Sequence, residues 1–346
     1  MFIARISKIV ICLILINLVL FAQQTNFESN VSKRGTTAAP FMNISQGARA
    51  TAMGSAFVAV ADDPSAIFWN PAGLSRLSKN GFMVDHTLWI ADLRYNFIAA
   101  SVNVGEFGTI GVSFINSDYG EMNVTTIEEP NGTGETFSVK DLAFSIAWSF
   151  NITDNFSIGF NPKVIYQSIW NMSDYAFAID MGVLYNTPFD GITLGMAITN
   201  FGDKMSLTGN TGVVLYDPDE STTGNNDRIP TVLQTDKWDL PLGFKVGLSY
   251  KAVESENHSL MFAVDASHPN NDYESVNIGG EYTFNQIFSI RGGYKSLFLA
   301  DSEESFTIGA GLSQNLFGNV NITFNYSYSE FGLLSEVQKF TIGINF

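Results

Sequence analysis

From Gly81 to Phe346 the apolar residues fall on every second position. Phe340, Ile342, Ile344 and Phe346 share one parity, and Lys339, Thr341, Gly343 and Asn345 take the other. Ile322, Phe324, Tyr326 and Tyr328 alternate with Asn321, Thr323, Asn325 and Ser327. Leu242, Phe244, Val246, Leu248 and Tyr250 alternate with Gly243, Lys245, Gly247 and Ser249. Successive side chains of a strand point to opposite faces, so this period describes strands with one apolar and one polar side. The charges keep to the polar parity: Lys245, Glu281, Arg291 and Lys339 all lie there, among many Gly, Ser, Thr and Asn. A soluble sandwich also alternates, so parity alone leaves the class open.

Strand length and connection length decide it. The pattern predicts about fourteen strands, near 82–89, 94–104, 108–117, 136–150, 155–169, 175–187, 191–201, 239–251, 258–267, 273–284, 287–296, 304–314, 318–329 and 337–346. Most reach the ~9–11 residues that a tilted strand needs to span a bilayer, against ~5–6 for strands of soluble proteins. Short connections at 105–107, 151–154, 188–190 and 285–286 alternate with longer ones at 118–135, 170–174, 202–238, 267–272 and 297–303. Short turns at one end and long loops at the other are the outer-membrane pattern, the short ones being periplasmic. An even strand count then brings both ends of the barrel to the periplasmic side. Charge on the lipid face near the midplane costs ~2–4 kcal/mol, so the charged parity must be the lumen. The expected fold is all-β: a transmembrane antiparallel barrel over 81–346.

The first residues read as a leader. Arg5 and Lys8 precede an almost wholly apolar run, Ile9 to Phe21, which ends at Ala22 before Gln23-Gln24-Thr25-Asn26. That run is shorter than the ~20 residues of a membrane-crossing helix, so 1–22 is expected to be a secretory signal peptide. Cys12, the one cysteine, lies inside it, which leaves no disulfide, thiolate or cysteine metal site beyond it. With 34 acids against 18 bases the chain is strongly acidic. That argues against nucleic-acid binding, which needs a basic surface. No long apolar helix follows Ala22, and a membrane protein without one must close its sheet to satisfy its backbone.

Residues 23–80 do not alternate. Gly47 to Ala56 is dense in small residues, and Asp62-Asp63-Pro64-Ser65-Ala66-Ile67-Phe68-Trp69 follows. Asp63 suits a helix cap with Pro64 at the first position, and Asn70-Pro71 should end that helix. The segment is too short for a domain and too apolar for a solvated linker. It is expected to pack inside the barrel as a plug.

The run from Gly47-Ala48-Arg49 through Gly54, Asp62-Asp63-Pro64 and Trp69 to Asn70-Pro71-Ala72-Gly73-Leu74 closely resembles the start of the PorV/PorQ family. That family is similar to the FadL fatty-acid transporters, whose N-terminal hatch also carries an Asn-Pro-Ala element. The resemblance implies a hatch-plugged FadL-like barrel linked to type IX secretion. PorV-like proteins associate with a large translocon barrel and receive cargo through its sorting domain. PorQ-like members work with the cell-surface attachment machinery. Phe340, Ile342, Ile344 and the terminal Phe346 resemble the signal read by the barrel-assembly machinery.

Asp62 and Asp63 read better as turn and cap residues than as a cation site. Arg49 is expected to pair with these acids or with lumen carboxylates such as Glu281. His86, His258 and His268 lie far apart without metal-ligand spacing. No Gly-x-Ser-x-Gly, P-loop or His-Glu-x-x-His element occurs, and Asp180 and Asp265 make no acid–base pair on sequence grounds. No enzyme, cofactor or metal is therefore expected. The acidic stretch from Tyr216 to Asp227 lacks a full calcium-loop pattern and reads as an extracellular loop, a candidate partner contact. Trp89, Trp148, Trp170 and Trp238 suit interfacial girdles, whereas Trp69 suits the plug. The expected partners are outer-membrane lipid and lipopolysaccharide, the assembly machinery, and a type IX translocon with its cargo, the barrel being a monomer or a subunit of that complex. The alternative is a FadL-like channel for hydrophobic small molecules.

Overall fold

The computed structural model describes residues 33–219, 221, 228–299, 302–316 and 319–346. Arg34–Phe346 forms one compact unit. The leader at 1–22 and the tip of the acidic loop at 222–227 lie outside the described residues.

Fourteen strands close an antiparallel barrel. In chain order they are β1 (Gly81–Leu88), β2 (Arg94–Asn103), β3 (Thr109–Asp118), β4 (Thr136–Thr153), β5 (Phe156–Ile169), β6 (Met172–Asn186) and β7 (Ile192–Gly202). The second half comprises β8 (Gly243–Glu254), β9 (His258–Pro269), β10 (Ser275–Phe284), β11 (Phe288–Leu297), β12 (Phe306–Leu316), β13 (Val320–Glu330) and β14 (Glu336–Asn345). Each strand pairs with its chain neighbours, and β1 meets β14 from Gly81↔Asn345 to Leu88↔Gln338, so the barrel has no free edge. Closure is what a lipid solvent demands, because an open edge would strand unpaired backbone groups there.

The side-chain alternation maps onto the two faces. On β3, Ile110, Val112 and Phe114 face outward and are exposed, while Thr109, Ser113, Ile115 and Ser117 are buried in the lumen. Glu281, Arg291 and Lys339 also lie on the buried, inward side, as their parity requires. Register shifts at Asn151/Thr153, Ile179/Met181, Lys251/Val253 and Val276/Ile278 locally break the alternation. Such bulges bend a strand and re-aim its side chains.

Connections are short at one rim, with three residues at 255–257 between β8 and β9, and longer at the other. One expected long loop is absent. Residues 170–174 are not a loop: β5 and β6 continue to a two-residue turn, Trp170-Asn171, with Trp170 in the left-handed region at φ 52°. The backbone ladder runs from Phe156↔Tyr185 to Ile169↔Met172, so the chain extends as a hairpin where composition suggests a loop. The 203–242 connection carries its own two-stranded ribbon, Val213–Tyr216 against Ile229–Val232.

Residues 34–80 form the hatch. It consists of two 3-10 turns, Pro40–Asn43 and Pro71–Arg76, and two short helices, α1 (Ala48–Ala52) and α2 (Ala66–Trp69). Arg34 pairs with Asp272 and the Ala38 N–H donates to the Asp239 carbonyl, both at the long-loop rim. At the other end Arg76 donates to the Asn155 carbonyl and Lys79 to that of Asn319, at the short-turn rim. The hatch therefore threads the lumen from one rim to the other before β1 begins.

Candidate functional site

The hatch–lumen interface gathers the residues that the sequence singles out. Helix α1 opens at Gly47, whose N–H donates to Asp85 (3.2 Å), while the Ala48 N–H donates to the Thr341 hydroxyl (2.7 Å). Thr341 in turn donates to the second Asp85 oxygen. A carboxylate and a hydroxyl from neighbouring wall strands thus satisfy amides that a first helical turn leaves unpaired. Small residues bring the helix close to the wall: Ala48 and Ala52 are fully buried.

Arg49 leaves α1 for the barrel wall. Its Nε and Nη2 donate to the two oxygens of Glu281, each at 2.8 Å, and its Nη1 meets Asp62 and, at 3.6 Å, Asp63. Arg291 donates to the same Glu281 (2.5 Å) and to Asn325 (2.8 Å). The fork of a guanidinium matches a carboxylate in just this two-bond way. Burial works against the Arg49 charge, but Asp62, Glu281 and Asp63 outweigh it and hold the guanidinium well above its ordinary value. Burial pushes the Asp63 carboxyl up, against the pull of Arg49.

Asp63 does not cap α2 directly. Its carboxylate accepts from the N–H (2.8 Å) and hydroxyl (2.5 Å) of Ser65, the residue that precedes α2. The helix ends at Trp69, and Asn70 is extended at φ −158°. Asn70 then uses both halves of its amide. Its Nδ2 donates to the carbonyls of Val58 (2.8 Å) and Val183 (3.0 Å), and its Oδ1 accepts from the Ala72 N–H (3.2 Å). Pro71 opens the next 3-10 turn, where a missing N–H is harmless. Gly73 packs so tightly that a Cβ there would stand 2.0 Å from the Ala61 carbonyl oxygen. Trp69 is buried and donates its indole N–H to the Gln46 carbonyl (2.9 Å).

The wall holds residues whose role the sequence does not announce. Asp265 accepts the Phe57 and Val58 N–H groups at 2.7 and 2.9 Å. Asn161 donates to the Ile67 carbonyl (3.1 Å), and Lys339 to the Ser45 carbonyl (2.5 Å). Asp180 pairs with Lys163 at 2.6 Å. Inward glycines let hatch backbone touch wall backbone. A Cβ on Gly279 would lie 2.1 Å from the Met53 oxygen, and one on Gly195 2.4 Å from the Val58 oxygen. The available signal was glycine and aspartate on the inward parity of long strands.

Other expected residues lie elsewhere. His86 bonds Asn96, His258 bonds Tyr282 and His268 meets Glu274, at three separate places. Trp148 is exposed near the short-turn rim. Trp89 instead packs edge-on against Phe331 and Tyr95, because the loops fold over it. Phe340, Ile342 and Ile344 run along β14, and the Phe346 backbone exchanges two hydrogen bonds with Asn80.

The hatch core at Met53, Phe57, Ile67 and Trp69 separates two polar cavities. One, of about 260 Å³, opens toward the long-loop rim beside Trp69 and Lys245. The other, of about 230 Å³, lies on the opposite side, against Arg49, Asp62 and Arg291.

Residues 27–168, the hatch and the first five strands, match the family model described as type IX secretion system protein PorV. The chain is an outer-membrane barrel whose first part is similar to PorV. The remaining strands fall outside that match. The barrel fold is shared with the Ralstonia pickettii toluene transporter TbuX at TM-score 0.53 and 14% identity, covering 87% of this chain and 97% of that one. It is also shared with the Pseudomonas putida toluene transporter TodX (TM-score 0.53, 13% identity, 87% and 96% covered). A Pseudomonas aeruginosa FadL homologue gives TM-score 0.51 at 15% identity, with 86% and 96% covered. No curated protein sequence matches. At such identities the transporters share architecture alone with this barrel, and the match over 27–168 supports an association with type IX secretion.

Proposed function

We propose that this barrel is a non-enzymatic accessory of type IX secretion, which binds the translocon or its cargo with its long-loop face. The ribbon in the 203–242 connection carries this reading. Its two strands pair only with each other among the described residues. Leu215 and Val232 are 62% and 64% exposed, beside exposed Val213, Tyr216 and Leu233. A two-stranded ribbon alone is marginal in water, and its open edges offer backbone groups to a further strand. Apolar side chains and unpaired edges outside the bilayer suit a protein partner better than solvent.

Conduction of apolar molecules is supported less well. The wall facing the hatch is built of Asp85, Lys163, Asp265, Glu281, Arg291 and Lys339 with serines and glycines, which offers little to a hydrocarbon. Delivery to the membrane through the barrel-assembly machinery, which would read Phe340, Ile342, Ile344 and Phe346, and an outer surface bathed in lipid and lipopolysaccharide complete the proposal.

The test is a gentle detergent purification of tagged protein from native membranes, with proteins and lipids identified together by mass spectrometry. A large translocon barrel or sorting-domain cargo is expected, and both should be lost when 213–232 is replaced by a short turn. Recovery of a stoichiometric apolar small molecule without such proteins would overturn the reading in favour of uptake.

A further inference from the structure

The cavity at the long-loop side of the hatch has a feature that neither the plug nor partner binding uses. Four cations border it: Arg34, Lys163, Lys245 and Lys295. Three of them are matched. Lys163 meets Asp180 at 2.6 Å, Lys295 meets Glu304 at 2.6 Å, and Arg34 meets Asp272 at 3.0 Å. Lys245 is not. Its ammonium has no hydrogen bond or ion pair among the described residues, and it stands over the Trp69 ring, 5.1 Å from the centroid.

We propose that this cavity binds a compact hydrophilic anion, a carboxylate or phosphate group, with Lys245 as its principal contact. A cation–π contact is worth only ~0.5–2 kcal/mol and leaves the three ammonium donors unused. An ammonium facing an enclosed space is stabilised most by an acceptor that carries charge. Asp265 also acts on Lys245 across space, but its Oδ2 is taken by the Phe57 and Val58 N–H groups and it makes no ion pair with the ammonium. Lys245 is therefore the cation of this cavity whose donors remain open to a ligand.

Size and lining set the ligand class. About 260 Å³ is the volume of about nine waters at ~30 Å³ each, below the ~300–1,000 Å³ usual for pockets that enclose a drug-sized ligand. Thr199, Ser267 and Asn271 share the lining with the lysines. A long acyl chain fits neither the volume nor the polarity, whereas a headgroup or a small organic acid fits both. Lys245 belongs to wall strand β8 and Trp69 to the hatch, so a bound anion touches both and its occupancy bears on how the hatch is seated. The inference stands apart from the secretion reading, and either can fail without the other.

The experiment uses the full-length protein in neutral detergent, titrated with inorganic phosphate, succinate and glycerol phosphate by calorimetry and thermal shift. A parallel arm uses nanodiscs with and without phosphatidylglycerol. Saturable binding that raises Tm is expected, because a ligand that binds only the folded state stabilises it. Lys245→Met should weaken binding at least tenfold and Lys245→Arg should retain it. Lys251→Met, at an exposed pair with Glu254, should change nothing. Binding of the soluble anions assigns a soluble ligand, and binding confined to phosphatidylglycerol nanodiscs assigns a lipid headgroup. No saturable binding of any probe, or equal binding by Lys245→Met with its Tm intact, overturns the proposal.

Discussion

Asp265 offers the sharpest test of how the hatch is held. Its carboxylate lies 1% exposed on the wall of β9 and accepts two hatch amides, Phe57 N–H at 2.7 Å and Val58 N–H at 2.9 Å. Both bonds reach the same oxygen, Oδ2. Hydrogen bonds to a charged group are worth roughly 1.5–3 kcal/mol each, and removing the acceptor leaves two buried donors unpaired. Asp265→Ala should therefore weaken local docking by about 3–6 kcal/mol, the two contributions being taken as additive. At tenfold per 1.4 kcal/mol that is about 10²–10⁴ in the population of the undocked loop. Hydrogen exchange reads this directly, because the two amides exchange through local opening. Peptides covering 50–62 should exchange faster by that factor in Asp265→Ala. Asp265→Asn, which keeps an oxygen for both donors but not the charge, should fall between the wild type and Asp265→Ala. Unchanged protection in Asp265→Ala would refute the reasoning, and would assign the anchoring to backbone packing against the wall glycines instead.

Three further outcomes are expected. Gly279→Val puts side-chain atoms where the Met53 carbonyl lies, 2.1 Å from the first of them; the hatch must shift, and conductance steps absent from wild type should appear in planar bilayers. Arg49→Met and Glu281→Gln, combined in a double-mutant cycle on thermal unfolding, should show coupling of roughly 0.5–3 kcal/mol, as contacting residues in one network do; zero coupling would exclude the pair as a hatch anchor. Asp63 is held above its ordinary value by burial, so the stability it contributes is fully present below the unfolded value and is lost as pH rises through the folded one. Asp63→Asn, which cannot ionise, should therefore exceed the wild type in Tm most at pH 7, and that advantage should shrink as pH falls toward 4.

The barrel was legible because lipid and lumen impose opposite demands on alternate residues. Phe340, Ile342 and Ile344 against Lys339, Thr341 and Gly343 show this on one strand. A soluble sandwich alternates too, and strand and connection length separate the two. The alternation rule fails where no membrane enforces it. Beyond the bilayer β5 and β6 keep their ladder to Ile169↔Met172, and there Trp170 to Asp174 carries no signal that separates a hairpin from a loop. Trp89 is illegible for a related reason: an aromatic near a strand end can face lipid or fold inward, and only the loop that carries Phe331 decides.

The hatch shows the opposite limit. Its motif is readable as a string, yet almost every residue in it is explained by a partner far along the chain. Asn70 joins Val58 and Val183, and Arg49 joins Glu281, 232 residues away. Half of the fit is an absence of atoms. Gly195 and Gly279 are required by hatch backbone that lies where their side chains would be, and a missing side chain gives a sequence pattern nothing to register except inward parity. Polar contacts and bare wall thus hold the hatch in separable ways. Asp265→Ala removes bonds without adding bulk, and Gly279→Val adds bulk without removing a side-chain bond. If the first frees the Phe57 and Val58 amides while the barrel stays closed, and the second opens it, then the hydrogen bonds set local docking and the glycine wall sets closure.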